Sequence, residues 1–212
     1  MHYPPSHHRR LLLRTLLLAP ALGLSRQASA AAHEHEHHHH HLAEASAEHV
    51  QRSEAQYRIP ALSLVRQDGV AEAFPQALDG ANPVFLNFIF TSCTTICPTI
   101  SQVFASFQKQ LAAEKGRATL VSISIDPEYD TPARLREYAS QFGAGRDWRF
   151  YTGTHAASVA IQRAFDAYRG DKMNHAPLTF VRGAPGRAWV RLDGFASPEA
   201  LMQEYRRLGK SA

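Results

Sequence analysis

Apolar and polar residues alternate from Tyr57 to Arg66, and the alternation returns over Val70 to Phe74 after Asp68-Gly69. That pattern predicts an N-terminal hairpin. Gln76 to Pro83 is a loop, and Val84 to Phe90 is an apolar run of the kind buried on both faces of a sheet. Beyond Pro98, Ile100, Val103, Phe104, Phe107 and Leu111 share one side, which predicts a helix to near Glu114 with Gly116 as its C-cap. Thr119 to Ile125 is a second β-branched strand, ended by Asp126-Pro127. Thr131-Pro132 opens a helix whose inner face is Leu135, Tyr138 and Phe142. Trp148 to Tyr151 is a short strand, and Thr154 caps a helix reaching to near Ala167. Leu178 to Val181 and Ala188 to Leu192 form a hairpin around Gly183-Ala-Pro-Gly186, and Pro198 to Leu208 is a closing helix. Strand and helix alternate through the centre and the chain ends on an antiparallel pair, so the expected class is an α/β layered fold. Its consecutive parallel strands need the helical crossovers that the pattern supplies.

The first 53 residues do not join this pattern. His7-His-Arg9-Arg10, the apolar stretch Leu11 to Leu24 and Ala28-Ser29-Ala30 read as a secretory signal peptide over residues 1–30, cleaved after about Ala30. An uncleaved anchor is the alternative, although the stretch is short for a membrane span. The Arg9-Arg10 pair carries little weight as a twin-arginine signal, and the leader has no cysteine for a lipid anchor. Export places the protein in the periplasm or outside the cell, where two neighbouring thiols tend to pair. Residues 31–53 are a tail and linker. His33, His35, His37, His38, His39, His40 and His41 put seven imidazoles into nine residues. They suit an auxiliary, low-specificity metal-collecting segment; a solvated spacer or a purification tag are the plain alternatives. Leu42 to Ser53 is rich in Ala and Glu, with a short helix expected and Val50 touching the domain, which is set at residues 54–212. The formal charge of +4 belongs to the leader: without its four arginines, nineteen basic residues face nineteen acidic ones. The balance gives no basic patch for nucleic acid.

The chemistry lies between the first apolar strand and the helix after it. Cys93 and Cys97, the only cysteines, stand in Thr91-Ser-Cys93-Thr-Thr-Ile-Cys97-Pro98. Proline is well placed in a first helical turn, and the unpaired N–H groups there favour a thiolate. A spacing of i and i+4 puts both sulfurs on one helical face. They can hold one soft ion such as Cu(I) or Zn(II), exchange disulfides, or form only a structural disulfide or a pair of buried thiols. The carboxyl end of a strand in an open α/β sheet favours a functional site. His49 lies in the linker and His155 reads as a surface residue. His175 sits in the polar loop Asp171-Lys-Met-Asn-His175, just before Ala176-Pro177 and a strand, and Met173 is a weaker sulfur candidate there.

These segments in order resemble the Sco/SenC family: Phe88-Ile-Phe-Thr-Ser-Cys93-Thr-Thr-Ile-Cys97-Pro98, Ser122-Ile-Ser-Ile-Asp126-Pro127-Glu-Tyr-Asp130-Thr131-Pro132, Tyr151-Thr-Gly153-Thr154 and His175. The resemblance spans about Tyr57 to Leu208. It implies a thioredoxin-like fold, a central mixed sheet flanked by helices. It implies copper bound by Cys93, Cys97 and His175, with Asp126 near the site or at a partner surface. It also implies a copper-accepting cytochrome c oxidase subunit, or another periplasmic copper or thiol protein, as partner. Two departures stand out. Asn174 precedes His175 where the family usually has Asp, and the loop over residues 166–175 is short. A cis bond at Ala176-Pro177 would favour thiol exchange.

Two activities compete. A copper chaperone predicts binding that depends on His175; a thiol–disulfide oxidoreductase needs Cys93 and Cys97 alone. A peroxidase is a remote third reading, because Phe90 stands where its pattern wants proline.

Overall fold

The computed structural model describes residues 50–209. The proposed leader and the histidine-rich segment lie outside the described residues. Eight strands form one sheet: β1 (Gln51–Ala55), β2 (Leu62–Arg66), β3 (Ala71–Phe74), β4 (Val84–Ile89), β5 (Thr119–Ser124), β6 (Trp148–Thr152), β7 (Leu178–Arg182) and β8 (Trp189–Asp193). Their order is β1-β8-β7-β4-β5-β6-β2-β3. β4, β5 and β6 run parallel and every other pairing is antiparallel. Four helices cover the sheet: α1 (Ile96–Ala113), α2 (Pro132–Gln141), α3 (His155–Ala164) and α4 (Pro198–Gly209). This is the expected thioredoxin-like arrangement, with the β2–β3 hairpin added at one edge.

β4 is buried at every position, which explains its unbroken apolar run. Phe85 and Ile89 pack with Phe104 and Phe107 of α1, Leu135 of α2 and Leu201 of α4. Leu86 and Phe88 face the other way, toward Ile161 and Phe165 at α3. The alternation of strand side chains thus feeds two cores from one strand. Among the described residues no helix is long and apolar enough to cross a membrane.

Several boundaries differ from the sequence pattern. The linker expected through Ser53 yields to β1, whose residues Gln51 to Ala55 pair with β8, while Val50 packs on the core as anticipated. The polar sequence of β1 hides a strand because it is a mostly exposed edge. Helix α1 closes at Glu114 with Lys115, not Gly116, in the left-handed conformation. Lys115 N–H donates to Ala112 O and Gly116 N–H to Leu111 O, the paired bonds of a Schellman cap. Gly116 instead makes room for Tyr205, whose hydroxyl oxygen would lie 2.9 Å from an added Cβ. Helix α3 stops at Ala164, three residues early, because Asp166 turns left-handed and Arg191 donates to the carbonyls of Phe165 and Asp166.

One pole of the sheet carries the cysteine turn. β4 and β5 end there, β7 begins there, and Gln51 pairs with Asp193, which pairs with Leu178. Gln51, the first residue of β1, therefore lies at the same pole as the cysteines.

Candidate metal centre

The cysteine turn follows from a buried strand meeting a helix start. After Ile89, Cys93 N–H donates to Phe90 O at 3.1 Å and closes a turn. Thr95 is the N-cap of α1, but its side chain caps nothing, so the first N–H groups stay open. The helix begins at Ile96, earlier than Pro98, and proline in the first turn removes an N–H that has no helical partner there. The sulfurs take up the vacated role. Cys97 N–H points at Cys93 Sγ at 3.5 Å, and Phe90 N–H points at Cys97 Sγ at 3.4 Å. Thr95 Oγ1 lies 3.8 Å from Cys93 Sγ. Both thiols are free.

Their environments push them apart. Partial burial opposes ionisation of Cys93, yet the contacts from Cys97 and Thr95 outweigh it and lower the thiol below its ordinary range. Cys97 is fully buried, and burial pushes its thiol far up despite the Phe90 N–H; a charge on Cys93 would raise it further. One thiol is thus accessible and easily ionised, with a protected partner behind it.

Asp130 braces this turn. It is 0% exposed, and its carboxylate accepts from Thr91 Oγ1 at 2.5 Å, Ser124 Oγ at 2.6 Å and Thr91 N–H at 3.2 Å. Burial raises its carboxyl above the usual range, and the Ser124 and Thr91 bonds partly oppose that. The carboxylate ties the residue two before Cys93 to the end of β5. Asp130 lies within the Ser122–Pro132 segment, but its sequence context alone assigns it no role. An Asp just before a Thr-Pro helix start reads as solvent-facing capping chemistry, and nothing local signals its burial.

His175 arrives at the same pole by another route. Lys172–Asn174 form one 3-10 turn, capped by Asp171, whose Oδ1 accepts from Met173 N–H at 2.8 Å. His175 follows and is 7% exposed. Burial lowers its pKa, against an opposing hydrogen-bonding contact with the Phe88 backbone. Its Nε2 is buried with no hydrogen-bond partner, the state of a nitrogen whose lone pair is unused. The Phe90 ring lies edge-on to the imidazole, with centroids 6.5 Å apart. Cys93 and Cys97 are brought together, but His175 stands off: among the described residues no three His, Cys, Asp or Glu side chains are grouped to hold a metal. Two sulfurs and one unpartnered imidazole nitrogen are donors whose chemistry suits a soft ion.

The other expected residues fall as follows. Asp126 lies on the β5–α2 loop with its Oδ2 2.5 Å from Lys172 Nζ, so it engages the histidine loop. Met173 is 74% exposed. His155 is exposed beside Glu128, with Nδ1 3.8 Å from its carboxylate. Asn174 is exposed, and the Ala176–Pro177 bond is trans; among the described residues Phe74–Pro75 is the one cis bond.

Comparison with known proteins converges on one family. The SCO1/SenC family model matches residues 50–210. The SCO1 protein homolog of Bacillus subtilis is 36% identical over 148 residues, covering 65% of this chain and 75% of the relative. The structure of BsSco, reported with a disulfide switch and as a member of the Sco family of cytochrome c oxidase assembly proteins, superposes with a TM-score of 0.63 at 23% identity. It covers 74% of this chain and 95% of that one. ScoI of Bradyrhizobium japonicum, solved with copper bound, gives a TM-score of 0.59 at 23% identity over 70% of this chain and 98% of that one. The dithiol turn, the fold and these matches together show that the chain belongs to the SCO1/SenC family.

Proposed function

We propose that this protein is an exported copper metallochaperone that binds copper through Cys93, Cys97 and His175 and passes it to a copper-accepting subunit of cytochrome c oxidase. The observation that carries the reading is the donor set at one pole: a partly exposed Cys93, a buried Cys97 whose N–H points at its sulfur, and a buried His175 Nε2 with no partner. The copper-bound relative supports the choice of metal. Thiolates favour Cu(I), and an imidazole also admits Cu(II). Copper is cargo in this account. The chain's own work is to present Cys93 to solvent, keep Cys97 dry and supply His175 from a loop. Release follows when a partner's thiols displace Cys93, the less buried ligand, before the buried Cys97.

His33, His35 and His37 to His41 serve as an auxiliary collector in this reading. Their support is the density of the donors, seven imidazoles in nine residues. Residues 1–30 act as the export signal or an anchor to the inner membrane.

A second reading, thiol–disulfide exchange with a periplasmic partner, draws on the contrast between the two thiols. Cys93 would attack a partner disulfide as thiolate, and Cys97 would lose its proton and resolve the mixed disulfide, leaving a Cys93–Cys97 disulfide and two reduced partner thiols. The test that separates the readings is His175→Ala. Copper binding should weaken sharply while reductase turnover persists. Loss of turnover with intact copper binding would overturn the assignment of roles.

A further inference from the structure

His175 is not grouped with the two cysteines, and a side-chain contact ties its loop to the rest of this pole. The 3-10 turn at Lys172–Asn174 is closed by its own backbone, with Asn174 N–H donating to Asp171 O and His175 N–H to Lys172 O. Backbone bonds of this kind shape the turn but do not fix where it sits. Its link to the cysteine side is Lys172, whose Nζ lies 2.5 Å from Asp126 Oδ2. The same ammonium stands 5.5 Å from the centroid of the Phe90 ring. Phe90 in turn meets His175 edge-on and donates its N–H to Cys97 Sγ. Phe90, Lys172 and Asp126 therefore form one contact between the histidine loop and the cysteine turn.

We propose that Lys172 is a positioning residue for His175: paired with Asp126 across Phe90, it holds the histidine loop in a buried, stand-off position that must be released before His175 can join Cys93 and Cys97. Its functional meaning rests on His175 being a copper ligand; the tie itself does not. Asp126 is mostly buried and Lys172 about half exposed, with side-chain exposures of 13% and 41%. A pair of that exposure shifts a two-state loop by about three- to fivefold, near the upper end for surface ion pairs. The tie is thus weak enough for a ligand to break and strong enough to set the resting position.

The test uses the full-length reduced apoprotein and diethylpyrocarbonate, which acylates accessible neutral imidazoles. Mass spectrometry of peptides gives the modification rate of His175 relative to exposed His155, an internal reference. Lys172→Gln should raise that ratio about three- to fivefold. Lys172→Arg, which keeps the charge, should restore the wild-type ratio, as should the exchanged pair Asp126→Lys with Lys172→Asp. An unchanged ratio in Lys172→Gln, or an equal rise in Lys172→Arg, overturns the proposal. The second arm adds copper(II) sulfate and follows the thiolate-to-copper absorption, to which the histidine-rich segment does not contribute. A faster rise in Lys172→Gln by the same factor supports the tie as a brake on loading. Freed His175 with unchanged copper uptake sustains the tie and overturns the ligand role of His175 instead.

Discussion

Replacing Asp130 tests how the cysteine turn is held. Asp130→Ala deletes the acceptor of three hydrogen bonds, from Thr91 N–H, Thr91 Oγ1 and Ser124 Oγ. Ser124 is 1% exposed, so its hydroxyl loses that partner without gaining water. Each buried donor left alone costs about 1–3 kcal/mol, which the relief of burying a carboxylate partly offsets. The net expected loss is about 2–3 kcal/mol, or roughly 4–12 °C in Tm for a domain of this size. Urea unfolding of the reduced apoprotein at pH 7 measures it. Asp130→Asn adds a signed test. The folded carboxyl is raised by burial, so its contribution is fully present below the ordinary aspartate pKa and is lost as pH rises through the folded value. Asn does not titrate, so the stability gap between wild type and Asp130→Asn should shrink as pH rises from the ordinary aspartate range through the folded value. A loss below about 0.5 kcal/mol for the Ala variant would refute the bracing role. A gap that widens with pH would refute the assigned direction.

Other consequences are simpler to measure. Iodoacetamide at pH 7 should label Cys93 at least about tenfold faster than Cys97, because the thiolate is the reacting form and Cys97 is buried; peptide mapping reads the order, and Cys97 labelled first would contradict it. The Cys93 rate should rise with pH and level off below the ordinary thiol range, given its lowered pKa. Gly116→Ala should destabilise by about 1–3 kcal/mol in thermal unfolding, since the new Cβ meets the Tyr205 hydroxyl that also accepts from Arg117 N–H. Tyr151→Phe should cost about 1–3 kcal/mol in the same assay by removing the 2.6 Å bond to Glu72, which also pairs with Arg66.

The parts of the fold written in side-chain periodicity were legible. β4 declares itself because both of its faces are buried, and α2 and α3 because Thr131 and Thr154 cap them through their hydroxyls. β1 was hidden because an exposed polar edge strand carries no apolar period; only its pairing with β8 makes it a strand. The close of α1 was misassigned by one residue because glycine signals a cap, whereas here it admits Tyr205. At the site, the two cysteines were plain from spacing and from the helix start. The position of His175 was not, since it depends on Lys172, Asp126 and Phe90, which come from three separate segments. The role of Asp130 was equally non-local: its partner Thr91 is 39 residues away in sequence.

The central claim is that Cys93, Cys97 and His175 act together on one copper ion. Its most direct test is a Cu(I) titration of the reduced protein lacking the histidine-rich segment, against a competing chromophoric chelator, for wild type and His175→Ala. The account predicts one tightly bound copper per chain and a loss of more than about tenfold in affinity without the imidazole. Binding that is weak from the outset, or unchanged by His175→Ala, would contradict it and leave thiol exchange at Cys93 and Cys97 as the chemistry of this pole.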